Sequence, residues 1–116
     1  PYHAIKQDPA VMATLGPLQT RAESDATLDR LIAFQELHGY TFWAMERRSD
    51  GVLLGYAGLL HGPEDTPIAG ALEIGWGLGS AHWGRGYARE AAEAVLAWAW
   101  ANTGADQVTA ITTPAN

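Results

Sequence analysis

The sequence predicts an α/β fold of the α+β kind, in which helices flank one mixed central sheet, formed by a single domain over residues 1–116. Two observations predict it. Helical segments precede a pair of strands joined by a tight turn, and a strand, an alanine-rich helix and a β-branched strand then follow in that order. The first pattern predicts antiparallel pairing, and the second is typical of a right-handed parallel crossover. The sheet should therefore contain both kinds of pair.

The N-terminal part predicts two helices. Residues 8–15 form a short helical segment that Gly16 and Pro17 interrupt. Thr20 and Glu23 then have the spacing of a capping box, in which each residue's side chain bonds the other's backbone N–H. The second helix should begin there and end at the next helix-stopping glycine, Gly39, after passing through Leu28, Leu31, Ile32 and Leu37.

Three strands are predicted in the middle of the chain. Residues 40–45 and 52–60 flank the turn sequence Ser49-Asp50-Gly51, which predicts an antiparallel hairpin. Residues 61–70 contain two prolines and two acidic residues and should form a loop. The apolar residues 71–78 predict the third strand.

The C-terminal part predicts a connection, a helix and a last strand. Residues 79–88 connect the third strand to a helix that ends at Thr103-Gly104. The periodicity of that helix places Arg89, Glu90 and Glu93 on a polar face, and Ala92, Val95, Leu96 and Ala99 toward the core. Residues 107–113 are rich in β-branched side chains on both faces, which predicts a strand covered on both sides.

Composition excludes several classes of function. The formal net charge of −6 argues against broad nucleic-acid binding, because Lys and Arg supply most of that affinity. The sequence has no cysteine, so disulfides, thiolate metal sites and a cysteine nucleophile are excluded, and a cytoplasmic location is the natural expectation. The four histidines lack metal-ligand spacing, and we expect neither a metal site nor a membrane segment. The acidity suits a cationic substrate or simply solubility.

The most informative segment is Trp-Gly-Arg-Gly-Tyr-Ala at residues 83–88, between the third strand and the long helix. A glycine-rich turn before a helix N-terminus presents backbone N–H groups and a positive dipole to a phosphate. A P-loop is excluded because no lysine lies nearby. A dinucleotide fingerprint fits poorly, because Arg89 and Ser80 stand where its third small residue belongs, although Asp106 lies at about the spacing of its acidic residue.

The third pattern is the acyl-CoA loop of the GNAT N-acetyltransferases, which residues 83–88 resemble with Trp83 in place of the first Gln or Arg. The preceding segment, Leu72-Glu73-Ile74-Gly75-Trp76, resembles the motif found before this loop in the GNAT branch that acetylates ribosomal-protein N-termini. Residues 8–12, 42–45 and 54–59 also resemble family motifs, the first helix and the second and third strands respectively. The resemblance thus covers nearly all of the chain and implies the GNAT fold.

Compared with the family pattern, most of the first strand and the elements after residues 113–116 are missing from this sequence. In relatives the later elements supply the general acid and a wall of the substrate site. The resemblance therefore suggests an incomplete domain, truncated at both ends, of a longer native protein.

The resemblance implies a site for acetyl-CoA as co-substrate. The backbone N–H groups of Gly84, Arg85, Gly86, Tyr87, Ala88 and Arg89 would bind the pyrophosphate, while the Arg85 and Arg89 side chains either add charge there or are merely solvated. The pantetheine arm would pair with the backbone of Trp76, Gly77 and Leu78. The glycines of this strand suit a close approach of another chain, or a bulge. Asn116 either contacts the CoA arm or is an ordinary turn residue.

Glu73 is the candidate catalytic base, because an ammonium acceptor must lose a proton before it attacks the thioester. Its alternation with Leu72 and Ile74 places it on the opposite face of an apolar strand, where partial burial would raise its pKa. A mere ion pair or binding of the substrate ammonium is the alternative role. Trp98 and Trp100 are expected in the core or at an interface, and a homodimer is an open alternative.

The sequence thus predicts an N-acetyltransferase that moves an acetyl group directly to a primary amine, on a protein N-terminus or a small molecule. A noncatalytic acyl-CoA-binding or sensor module is the alternative.

Overall fold

A computed structural model describes residues 1–114 and 116 of the chain. The described residues form four α-helices and three strands, and a short 3-10 turn at Ser80–His82 precedes the last helix. The elements are α1 Tyr2–Lys6, α2 Pro9–Met12, α3 Arg21–His38, β1 Phe42–Glu46, β2 Leu53–His61, β3 Leu72–Leu78 and α4 Tyr87–Asn102. The predicted α/β class with helices flanking a central sheet is confirmed.

Helix α3 begins and ends where its signals predict. The Thr20 hydroxyl accepts a hydrogen bond from the Glu23 backbone N–H at 3.1 Å, and Gly39 ends the helix with a φ of 83°. Its apolar residues do not all face the core, since Ile32 is 57% exposed and Leu37 is 78% exposed. Ser24 is the buried residue of this helix.

The N-terminus is more helical than predicted. Helix α1 was not expected, and the predicted helix over residues 8–15 is reduced to α2, with turns after Met12. The Asp8 carboxylate caps α2 by accepting from the Ala10 backbone N–H at 2.9 Å. Burial of Ile5 in α1 and of Val11 and Met12 in α2 holds these short helices in place, because helices of one turn are not stable alone.

The sheet is antiparallel in the order β1-β2-β3, with an irregularity between Met45 and Glu46. Helices cover both of its faces. On one face, Ala57, Leu59 and Ile74 pack against Val95 and Ala99 of α4. On the other, Tyr56 packs against α1 and α2. The prediction that Val95 and Ala99 face inward is confirmed.

The predicted two-sided strand over residues 107–113 is wrong. Only Thr109 pairs with β3, in the expected parallel sense: its carbonyl accepts from the Ile74 N–H at 2.8 Å, and its N–H donates to the Leu72 carbonyl at 3.0 Å. Residues 110–114 are exposed and turn away. β-branched residues favour an extended backbone, but a strand also needs a partner along its length. The divergence after Thr109 leaves a gap beside β3.

Candidate active site

The glycine-rich turn has the backbone that its sequence predicts. Gly84 and Gly86 have φ values of 73° and 83°, in the left-handed region that a side chain disfavours. Gly86 is the N-cap residue of α4, so the helix begins at Tyr87, two residues earlier than predicted. Within the described part of the chain, no side chain caps this end. The first backbone N–H groups of α4 therefore point out of the helix without a side-chain acceptor.

A cavity of about 420 Å³ lies in front of this helix end and is called the donor cavity here. Its lining includes every predicted cofactor residue except Arg85: Trp76, Gly77, Leu78, Gly84, Gly86, Tyr87, Ala88, Arg89 and Asn116. The opposite wall is formed by Ala10, Val11, Thr14 and Leu15 of α2 and the turns after it, which the sequence did not indicate as site residues. The cavity joins a strand edge to a helix N-terminus.

Hydrogen bonds between Asp8 and Ser80 connect the two walls of the donor cavity. Asp8 Oδ2 accepts hydrogen bonds from the Ser80 hydroxyl at 2.6 Å and the Ser80 backbone N–H at 3.2 Å. The hydrogen bonds from Ser80 keep the pKa of Asp8 below its usual value. Since Asp8 also caps α2, one carboxylate positions that helix against the connection before α4.

The edge of β3 that faces the gap has unpaired backbone groups. Residues of a strand alternate between its two edges, and the Ile74 N–H points to Thr109. Trp76 and Leu78 therefore face the gap, whereas Gly77 faces β2. The Leu78 carbonyl is already occupied, since it accepts from Trp83 Nε1 at 3.0 Å. The groups that remain for a strand-like ligand are the N–H and C=O of Trp76 and the N–H of Leu78.

The glycines of β3 are explained by packing within the sheet. A Cβ at Gly75 would lie 2.6 Å from Cζ of Phe42, and one at Gly77 would lie 2.6 Å from both Cζ and Oη of Tyr56. The groups that approach these glycines are thus aromatic rings of β1 and β2. Neither residue interrupts the ladder from Gly55↔Leu78 to His61↔Leu72, which excludes the bulge.

Glu73 lies in a second cavity of about 420 Å³, called the acceptor cavity here. Phe42, Tyr56 and Gly75 line it from the sheet, and residues 110–112 line it from the divergent segment. Leu15, Trp76 and Asn116 line both cavities, which therefore meet at the free edge of β3. The placement of Glu73 on the face opposite Leu72 and Ile74 agrees with the strand alternation.

The electrostatics of Glu73 follow from its partial burial. Loss of hydration raises the pKa of this carboxyl above its ordinary value, because burial disfavours the charged form. Within residues 1–114 and 116, no arginine, lysine or histidine forms an ion pair with it. Glu73 is therefore available to a ligand in the acceptor cavity.

The other predicted site residues are less constrained. Arg89 Nε donates to Glu93 at 2.9 Å, and both side chains are largely exposed. Arg85 is exposed on the turn and Asn116 is exposed near both cavities. Trp98 packs edge-on against Trp43, whereas Trp100 is 50% exposed. Of the terminal segment 113–116, Ala115 lies outside the described residues.

The described part of the chain has neither a membrane-spanning helix nor a metal-binding cluster of side chains. Among residues 1–114 and 116, no helix is long and apolar enough to cross a membrane. The same residues include no cluster of three or more His, Cys, Asp or Glu side chains with the geometry to hold a metal ion.

The fold is that of an acetyltransferase family. The family model described as "Acetyltransferase (GNAT) domain" matches residues 1–116, and the chain belongs to this family. It is 28% identical over 115 residues to the uncharacterized protein YkkB of Bacillus subtilis (strain 168), covering 99% of this chain and 66% of that protein.

Solved structures of acetyltransferases have the same fold. The crystal structure of the acetyltransferase from Agrobacterium tumefaciens str. C58 is similar with a TM-score of 0.82 and 25% identity, covering 97% of this chain and 63% of that one. A GNAT-family acetyltransferase from Bacillus anthracis has a TM-score of 0.78 at 20% identity, covering 99% and 64%, which bears on the fold alone. The chain thus spans about two thirds of the length of these relatives.

Proposed function

We propose that the chain transfers an acetyl group from acetyl-CoA directly to a primary amine. The observation that carries the proposal is the meeting of the two cavities at Trp76: one lies at a helix N-terminus and the other contains Glu73. A donor and an acceptor bound in them would approach each other at the edge of β3. Adjacent binding sites suit direct transfer, which gains its rate largely from positioning.

The donor cavity suits CoA in its chemistry. The uncapped N–H groups of α4 and the turn are donors for a pyrophosphate, whose negative charge the helix dipole also favours. The pantetheine amides would bond with Trp76 and the Leu78 N–H as an added strand does. Arg85 is a further candidate phosphate contact, whereas Arg89 would have to leave Glu93 to serve as one.

In the proposed reaction Glu73 takes a proton from the bound ammonium, directly or through a water. The neutral amine nitrogen then bonds to the thioester carbonyl carbon while the carbon–sulfur bond breaks. The nitrogen loses its second proton as the amide forms, and the CoA sulfur gains one proton, so the products are the amide and the CoA thiol. A base whose pKa is raised toward neutrality is better matched to an ammonium than an ordinary carboxylate is.

The test measures release of the CoA thiol with a panel of amines. Replacing Glu73 by Gln should lower kcat/KM by about 10²- to 10⁴-fold, the usual contribution of a positioned base. It should also remove an acidic limb from the pH profile: wild-type kcat/KM falls as pH decreases through the Glu73 pKa, which lies above the ordinary carboxyl value. Glu46→Gln, on β1 and outside both cavities, is the matched control.

Two results would count against the proposal. Full activity of Glu73→Gln at every pH would contradict its role as base. Saturable binding of CoA without thiol release for any amine would instead favour a noncatalytic acyl-CoA-binding module. A protein N-terminus and a small molecule both belong in the amine panel, because the Trp83 turn resembles that of the ribosomal-protein branch.

A further inference from the structure

A buried lysine lies behind the acceptor cavity. Lys6 of α1 is only 9% exposed, and its Nζ donates a hydrogen bond to Tyr56 Oη at 3.0 Å. The same ammonium lies 4.9 Å from the centroid of the Tyr56 ring and 5.5 Å from that of Tyr2. Aromatic faces and a phenol oxygen therefore solvate this cation.

Among residues 1–114 and 116, no carboxylate forms an ion pair with Lys6. The ion pairs among residues 1–114 and 116 join arginines to Asp25, Asp50 and Glu93, and none involves Lys6. A buried cation usually pairs with a carboxylate, because removal from water is costly. Its positive field therefore extends through Tyr56 toward the cavity that Tyr56 lines.

The floor of the acceptor cavity is aromatic. The rings of Phe42 and Tyr56 are stacked, with centroids 5.5 Å apart and planes at 20°, and they lie over Gly75 and Gly77 of β3. The remaining walls are mainly apolar and include Leu15, Ile74, Trp76 and Ile111. Glu73 is the single acidic side chain among the described lining residues, so the cavity offers one site for an ammonium.

The two charges lie toward opposite ends of this floor. Along one face of β3 the order is Glu73, then Gly75 beneath Phe42, then Gly77 beneath Tyr56. Four residues of strand span about 13 Å. An elongated acceptor whose ammonium meets Glu73 would extend over the rings toward Tyr56 and the Lys6 charge behind it.

We infer that the acceptor is a primary monoamine with an apolar, flat body, and that Lys6 disfavours acceptors with a second cationic group. This inference rests on the proposed function, since it names the acceptor of the same site. Phe42 and the small exposed part of Tyr56 contact the apolar body, and Glu73 binds the ammonium. The second ammonium of a diamine would lie toward the Lys6 charge and gain no favourable contact there. A peptide would leave polar backbone groups unpaired on the aromatic floor.

The experiment compares three amines as acceptors for the 116-residue chain: 2-phenylethylamine, 1,5-diaminopentane and a short peptide with a free N-terminal serine. We expect kcat/KM to be highest for phenylethylamine, by on the order of tenfold over the diamine, the effect of like charges about 10 Å apart at an effective dielectric constant of about 20. Higher kcat/KM for the diamine or the peptide would overturn the inference but leave acetyl transfer intact.

Two variants isolate the charge of Lys6. Lys6→Met has a side chain of similar length without charge and should raise diamine kcat/KM relative to phenylethylamine by about tenfold. Lys6→Arg retains the charge and should retain the preference. Both must show cooperative unfolding. An unchanged ratio in folded Lys6→Met would show that Lys6 does not determine specificity.

Amine binding is measured in parallel with catalysis, so that failure of the proposed transferase function can be distinguished from failure of the inferred ligand preference. Calorimetric titration of each amine into the chain with CoA present should give the same ranking. If no amine releases thiol but phenylethylamine still binds more tightly than the diamine, the proposed transferase function fails and the inferred ligand preference holds. If the diamine binds as tightly or more tightly, the inference fails.

Discussion

Replacing Gly77 by Ala tests the packing that shapes the acceptor cavity. The added Cβ would lie 2.6 Å from Cζ and Oη of Tyr56, about 1 Å inside the ordinary contact distance of about 3.5–4.0 Å. The ring cannot move freely, because Lys6 bonds its hydroxyl and Phe42 stacks on its face. The substitution must therefore displace Tyr56 or separate the strands.

Overpacking of this kind costs about 1–3 kcal/mol. For a chain of this length each kcal/mol lowers Tm by about 4 °C, so we expect a decrease of about 4–12 °C in thermal unfolding followed by circular dichroism. Gly79→Ala is the matched control: its nearest contact would be 3.6 Å, to His82, and its φ of −56° suits alanine. That variant should stay within about 0.5 kcal/mol of wild type.

A double-mutant cycle with Tyr56→Leu identifies the cause. If the Tyr56 ring is the obstacle, Gly77→Ala should cost at least about 1 kcal/mol less in the Tyr56→Leu background, a coupling typical of residues in contact. Equal costs of Gly77→Ala in the two backgrounds, or a cost no greater than that of Gly79→Ala, would refute the steric explanation.

Two further predictions concern the donor cavity. Gly86→Ala and Gly39→Ala replace glycines of the same φ, 83°, so each should cost about 1–2 kcal/mol in denaturant unfolding, but only Gly86→Ala should weaken CoA binding, by about tenfold or more in calorimetry. Equal CoA affinities of these two variants would contradict the phosphate role of the turn. Asp8→Asn should lower Tm at neutral pH, with the difference from wild type disappearing in acid: the lowered Asp8 pKa contributes stability above the ordinary Asp pKa, and this is lost as pH falls through the folded-state value. A Tm difference that persists below that value would show that the carboxylate charge is not what Ser80 stabilises.

Structural features that depend on neighbouring residues in the sequence were predicted correctly. The capping box at Thr20 and Glu23, the stop at Gly39 and the glycine-rich turn all depend on residues within one or two turns of chain. The third strand was predicted because an apolar run between turn residues has few other structures. The class of fold followed from the order of these elements.

Features that depend on distant partners were missed. Residues 107–113 have strand propensity, yet only Thr109 finds a partner, which no local pattern reveals. The bond between Lys6 and Tyr56 joins residues 50 positions apart, and that between Asp8 and Ser80 joins residues 72 apart. The glycines of β3 are visible in the sequence, but the rings that require them lie on other strands.

The amide hydrogens of β3 divide into two sets according to the edge they face. Those of Gly75 and Gly77 point to β2 and are bonded within the sheet, while those of Trp76 and Leu78 point to the gap beyond Thr109. Exchange with deuterated solvent should therefore alternate along the strand, slow at one residue and fast at the next. A ligand that pairs with this edge would slow exchange of the Trp76 and Leu78 amides alone. Loss of the alternation in exchange rates would therefore show that the gap is filled.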